Sequence, residues 1–191
     1  MRLAELSSLM IACIMGNMKT VKQLINVARK TLSKDQFNQY INIKVNRLMG
    51  GNNALLYACN SSNSDYFLVH YLINDAGANP NSMNDYYVNC LLIATKKSQL
   101  NILDLLLING VDIGFVDRNG CNALHIASAA GYQDIVQMVL LYWSKEKIKA
   151  AKIKKIHEKM KAQDPNYSSF EESNKKDSNA DAFEIDCVDN S

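Results

Sequence analysis

At 191 residues, 48% of them hydrophobic, and with a formal net charge of +2, the chain has the length and apolar content of one domain with a core of its own. No stretch is apolar for long enough to span a bilayer, and the start MRLAELSSLMIACIMG resembles a secretion leader only superficially, because Glu5 interrupts it. A soluble intracellular protein, cytoplasmic or nuclear, is expected.

In chain order, SSLMIA at 7–12 opens a short apolar helix that reaches Met15. After Gly16 a second helix is predicted over residues 18–29, with Val21, Leu24 and Ile25 facing inward. Ser33 and Gln36 stand at capping-box spacing, which predicts another helix through Tyr40. Ile41, Ile43 and Val45 then alternate as an extended arm does, and Gly50-Gly51 makes a turn. NALLYA at 53–58 starts the next helix; residues 61–65 are expected to lengthen the turn after it, and Asn74, Asp75 and Ala76 to extend the outgoing loop. NCLLIA at 89–94 and a leucine-dense helix at 101–108 follow.

Asp117, Asn119 and Gly120 mark a turn, and NALHIA at 122–127 opens a helix with Leu124, Ile126, Ala127 and Ala130 on one buried face. Gly131 ends that helix, since a glycine takes the positive φ of a helix C-terminus at little cost. Asp134 suits the start of the next one, which carries Ile135, Val136, Val139 and Leu140 inward. No Gly or Pro intervenes between Gly131 and Pro165, so this helix is predicted to run on to Gln163, with Ser144 as the place for a bend. Lysines outnumber acids 8 to 2 over residues 145–161, beside a thin stripe of Ile153, Ile156 and Met160. Residues 164–191 hold 8 acids and 2 lysines and are predicted to be a disordered acidic tail.

The helix starts repeat. NALHIA follows NCLLIA by 33 residues, NCLLIA follows NALLYA by 36, and SSLMIA begins the chain with the same pattern. A turn and two helices at a period near 33 is the ankyrin repeat signature, and the chain resembles ankyrin repeat proteins over residues 2–142. The family's T-P-L-H-x-A stands as NALHIA, and its G-A-D-x-N loop as GANPN at 77–81, with GVDI at 110–113 as a second version. No copy has the Thr-Pro pair, and Tyr87 stands where a turn glycine is usual. The resemblance implies an all-α solenoid of about four helix-turn-helix repeats at 2–30, 48–77, 84–115 and 117–142, with an insertion at 31–47. A Lys-rich helical extension at 143–163 and the tail at 164–191 complete the chain.

Neither an enzyme nor a cofactor is expected. His70, His125 and His157 have no Ser, Cys or carboxylate partner at catalytic spacing, and Gly50-Gly51 is followed by no Lys-Ser/Thr of a phosphate loop. The resemblance gives His125 a structural role, bridging backbone groups of adjacent repeats, with Asn122 in place of the threonine that orients it. The five cysteines, Cys13, Cys59, Cys90, Cys121 and Cys187, are odd in number and show no CxxC or Cys–His metal spacing. They read as small buried thiols in a reducing compartment, with no metal site.

Family members generally bind partners through the finger tips and the exposed side of each first helix. Carried over position by position, this implicates Met49 and Gly50 in the finger of copy two, Asp85 and Tyr86 in that of copy three, and Arg118, Asn119 and Cys121 in that of copy four. On the first helices it implicates Asn60 and Ser61, Lys96 and Lys97, and Ala129 and Ala130. Tyr86 and Arg118 are residue types that tend to dominate interfaces. The bland reading of Lys96 and Lys97 is a solvated face, and of Tyr86 a filler for the glycine-less turn. The function implied is a protein-interaction module or adaptor on the concave face, with an unidentified protein partner, no small-molecule substrate and an open oligomeric state. Nucleic-acid or anionic-membrane binding by residues 145–161 is the rival; the narrow stripe and the absence of arginine there favour a solvated helix capping the stack. A third reading is a regulatory subunit that inhibits an enzyme by occlusion.

Overall fold

The computed structural model describes residues 6–46, 50–61 and 65–163. The predicted acidic tail and Met49 lie outside these residues. The chain divides into two compact units, Met1–Trp143 and Ser144–Ser191.

The first unit is a row of helix pairs. Copy one supplies α1 (Ser8–Ile14) and α2 (Met18–Thr31), followed by an inserted α3 (Lys34–Asn42). Copy two supplies α4 (Ala54–Asn60) and α5 (Tyr66–His70), copy three α6 (Cys90–Lys96) and α7 (Leu100–Ile108), and copy four α8 (Ala123–Ala130) and α9 (Gln133–Gln163). The first helices form one layer, α4 packing between α1 and α6, and α6 between α4 and α8. The second helices form the other, with α5 packed on α7. A single antiparallel bridge, Met83 with Asn89, is the β pairing among the described residues.

Each first helix starts on a polar cap, because its first N–H groups have no partner within the helix. The side chains of Ser7, Asn53, Asn89 and Asn122 accept from the N–H of Met10, Leu56, Leu92 and His125 at 3.3, 2.9, 3.0 and 3.0 Å. The three asparagines are buried, so the caps lie inside the stack. The turns between paired helices also repeat. Asn17, Gln99 and Tyr132 donate their N–H groups to Ala12, Ala94 and Ala127 at 3.0, 2.9 and 2.9 Å. The residue before each sits at positive φ: Gly16 (67°), Ser98 (54°) and Gly131 (73°).

The helices are held by one continuous cluster running from Leu6 to Val139. α7 contributes five large aliphatic side chains to it, with Ile102, Leu103, Leu105, Leu106 and Leu107 all buried, each worth roughly 1.5–3 kcal/mol of transfer free energy. Cys13, Cys59 and Cys90, in successive copies, are fully buried free thiols. Burial, followed by the neighbouring Cys59, pushes the Cys13 thiol up to about 12. Its hydrogen bond with Cys59, followed by burial, holds Cys90 well above the ordinary thiol range.

Four expectations are corrected. Asn74 and Asp75 do not extend a loop: residues Tyr71–Asp75 form a π-helical turn. Ala76 N–H donates to Tyr71 C=O at 2.9 Å, an i→i+5 bond that absorbs extra length inside the helix. Ile41 belongs to α3 and is buried, while Ile43 is exposed; the arm starts only after α3, and Val45 N–H donates to Asn52 C=O at 2.9 Å. The α8 face is shallower than its spacing implied, with Ala130 exposed and Leu124 and Ile126 half-buried. Leu140, placed inward by the sequence, is 49% exposed although its counterpart Leu107 is buried. Leu124, Ile126 and Leu140 stand where copy three buries Leu91, Ile93 and Leu107; α8 packs on α6 alone among the first helices, so these positions stay half open, whereas Ala130 stands where copy three itself exposes Lys97.

His125 takes part in the cap of its own repeat. It sits in the capping box of its own helix, where Asn122 N–H donates to Nδ1 at 3.3 Å. α9 ends at Gln163.

Candidate partner-binding surface

The segments between helix pairs form three fingers, and each closes on itself. In the third, Asn84 N–H donates to Val88 C=O at 3.0 Å; in the fourth, Asp117 N–H donates to Cys121 C=O at 3.0 Å. Asx turns shape both tips, since Asn84 Oδ1 accepts from Tyr86 N–H at 3.0 Å and Asp117 Oδ1 from Asn119 N–H at 2.9 Å. In the second, where Val45 meets Asn52, Gly50 and Gly51 have φ of 85° and 66°.

The fingers are also joined to one another. Asp85 N–H donates to Gly50 C=O at 3.1 Å, and Asn84 Nδ2 to Asn52 Oδ1 at 3.0 Å. The Tyr86 ring lies against Gly50, where a Cβ would come within 2.6 Å of it. The Asp85 carboxylate lies on Gly51, where a Cβ would come within 2.5 Å, and its Oδ2 is buried with no hydrogen-bond partner among the described residues. From the fourth finger, Arg118 donates to the Asp85 carbonyl. Its guanidinium carbon lies 5.8 Å from the Tyr86 ring centre and 5.4 Å from that of Tyr87. Such cation–π contacts are worth about 0.5–1 kcal/mol each at exposed sites.

Beside this cluster is a cavity of about 440 Å³ lined by Lys44, Met83, Asn84, Asp85, Tyr87 and Arg118. Lys44 and Arg118 give its lining two cations and Tyr87 an aromatic ring. Thus Gly50, Asp85, Tyr86 and Arg118 come together. Asn119 is exposed on the same finger as Arg118, and Cys121 is half-buried at its base, its N–H donating to Asp117 Oδ1 at 3.0 Å. Lys44, Gly51 and Tyr87 belong to the cluster and were not among the binding residues expected from the sequence. Tyr87 carried a signal: it occupies the turn position held by Gly120 one copy later and takes the same left-handed backbone, at φ 57°.

On the first helices, Asn60, Lys96, Ala129 and Ala130 are exposed. Ser61 is not: it is buried, and its hydroxyl donates to Ile14 C=O at 2.7 Å. Lys97 is exposed but engaged, its ammonium donating to the carbonyls of Asn60 and Ser61 at 2.6 and 2.7 Å. A cation there satisfies carbonyls that the end of α4 leaves unpaired. Ser61 and Lys97 therefore couple neighbouring copies.

A family model described as ankyrin repeats, three copies, matches residues 55–151. The chain belongs to the ankyrin repeat family. No curated protein matches it. The matched span takes in copies two to four, and the first copy joins them through the same caps and the same inter-helix turn. Ankyrin repeats are generally protein–protein interaction modules. No helix among the described residues is long and apolar enough to cross a membrane.

Proposed function

We propose that this ankyrin chain is a non-enzymatic adaptor that holds a protein partner along its finger row and the adjoining first helices, the concave side of such stacks. The observation that carries the reading is the exposed Arg118 engaged with Asp85, Tyr86 and Tyr87. Aromatic and arginine side chains are the usual anchors of interfaces, and anchors act best when their rotamers are fixed before binding. Here the ring of Tyr86 is braced by Gly50, and the guanidinium is braced by a carbonyl. Asn60, Lys96, Ala129 and Ala130 supply the flanking contact surface.

The test is affinity capture with mass spectrometry, comparing the natural chain with a Tyr86→Ala, Arg118→Ala double variant of unchanged helicity. The partner recovered with the natural chain is expected to be lost from the double variant. Retention by that variant, with loss on Asn101→Arg and Gln137→Arg on the second helices, would move the interface to the opposite face.

A further inference from the structure

We propose that the outer face of α2 and the inserted helix α3 form a second docking groove, whose occupant is an acidic amphipathic helix of a protein partner. The groove is a cavity of about 430 Å³ whose lining includes Thr20, Leu24, Val27 and Thr31 of α2, with Leu32 and Tyr40 from the inserted segment. It has room for the side chains of one helix face. Val27, 60% exposed, stands open in it.

The internal repeat says what shape fits. α2 corresponds to α7 in register: Gly16 and Ser98 both take positive φ, and the N–H groups of Asn17 and Gln99 make the same turn bond. Val21 and Ile25 then match Leu103 and Leu107, and all four are buried. Thr20, Gln23 and Leu24 match Ile102, Leu105 and Leu106, which α7 buries. α7 has α5 packed against it; α2 has no such helix before it among the described residues. The occupant therefore stands to α2 as α5 stands to α7, at ordinary helix-packing distance. Thr20 and Gln23 in place of Ile102 and Leu105 make the face less apolar than an interior one, as suits a partner that comes and goes. The insertion supplies the second wall, so the groove is more than a bare terminal face.

Charge selects the partner's sign. α2 and α3 together carry Lys19, Lys22, Arg29, Lys30 and Lys34 against one acid, Asp35. Lys22 lies over the Tyr71 ring, and Arg29 over Phe37 while donating to the Asp75 carbonyl. Lys19 and Lys30 are exposed on the edge next to Gln23, following the helical period. A second copy docked groove to groove would set these lysines against themselves, so the occupant is a helix with an apolar stripe and acidic flanks.

The test uses the full-length chain and two labelled helical peptides that share one leucine stripe, flanked by Glu in one and by Lys in the other. In fluorescence anisotropy at 0.1 M salt the Glu-flanked peptide is expected to bind about tenfold tighter or better. Val27→Glu is expected to abolish that binding with the circular dichroism unchanged, and Lys19→Glu with Lys30→Glu to reverse the preference. The finger variant Tyr86→Ala, Arg118→Ala is expected to bind the peptide as the natural chain does, which separates this groove from the finger surface. Equal affinities for the two peptides, or full binding by both charge-changed variants, would overturn the proposal. So would self-association that Val27→Glu removes, which assigns the groove to a second copy. An affinity raised by ending the chain at Gln163 would assign it to residues 164–191 and also overturn the partner.

Discussion

The N–H of Asp85 donates to the carbonyl of Gly50 at 3.1 Å, tying the finger of one repeat to that of the repeat before it. The bond requires backbone at close approach, and the neighbouring Gly51 leaves the space that the Asp85 carboxylate fills. Gly51→Ala is expected to lose about 1–2 kcal/mol from its left-handed backbone, and more from collision with that carboxylate. Gly77→Ala is the control: φ is +76° there, yet nothing lies within 4 Å of the added carbon, so only the backbone penalty applies. Urea midpoints for the two variants check the difference. Equal losses would mean that Asp85 moves aside freely.

Buried leucines do not all weigh the same. Leu103 is fully buried in the middle of the stack, and Leu103→Ala is expected to cost about 2–5 kcal/mol. Leu124 is half-buried in the last repeat, so Leu124→Ala is expected to fall below that range. Thermal unfolding of both variants measures the gap. A Leu124→Ala loss as large as that of Leu103→Ala would mean that the end of the stack is covered in solution.

What the sequence revealed and what it hid follow from the range of the interactions. The Ser33 cap and the left-handed Gly131 were readable because each depends on residues within four positions. The π-helical turn at Tyr71–Asp75 was not, since extra residues fit equally well into a loop or an i→i+5 bond. Ser61 looked like a surface residue because its acceptor, Ile14, lies one repeat away. Lys44 escaped notice for the same reason: its place beside Arg118 depends on fingers stacking, which no local pattern encodes. The half-open state of Leu140 reflects position in the array, whereas helical period alone is blind to whether a next repeat exists.

The thiols of Cys13 and Cys90 bear on stability at alkaline pH. Burial raises the Cys13 pKa from 9.0 to about 12, so between those values the unfolded chain has released a proton that the folded chain keeps. Stability is therefore full below pH 9 and is lost as pH rises toward 12, at up to about 1.4 kcal/mol per pH unit for that group. Cys90 shifts in the same direction and adds to the slope. Urea midpoints at pH 8 and pH 10 are expected to differ, and Cys13→Ala to reduce the difference. In a Cys187→Ser background, native thiol labelling at pH 8 is expected to reach the half-buried Cys121 and spare Cys13, Cys59 and Cys90. Rapid labelling of all four in the folded chain would refute the buried row of thiols.

The second unit carries a separable electrostatic prediction. Residues 145–161 hold 8 lysines and 2 acids, and residues 164–191 hold 2 lysines and 8 acids, so the two segments have equal and opposite formal charge. A single exposed ion pair contributes about 0–1 kcal/mol, but a short tether holds the acidic segment at roughly millimolar effective concentration. Weak contacts between the two segments would then compete with any outside polyanion for the same lysines. A version ending at Gln163 is expected to bind heparin more tightly than the full chain at low salt. The gain is expected to shrink as the Debye length falls from about 10 Å at 0.1 M to about 3 Å at 1 M. Salt discriminates further: for a binder using these lysines the logarithm of the affinity falls linearly with log salt, with a slope set by the number of phosphate-like charges contacted. Identical heparin affinities with and without residues 164–191 would show that the acidic segment leaves the lysines free, and a nucleic-acid or membrane role for the basic helix would gain ground accordingly.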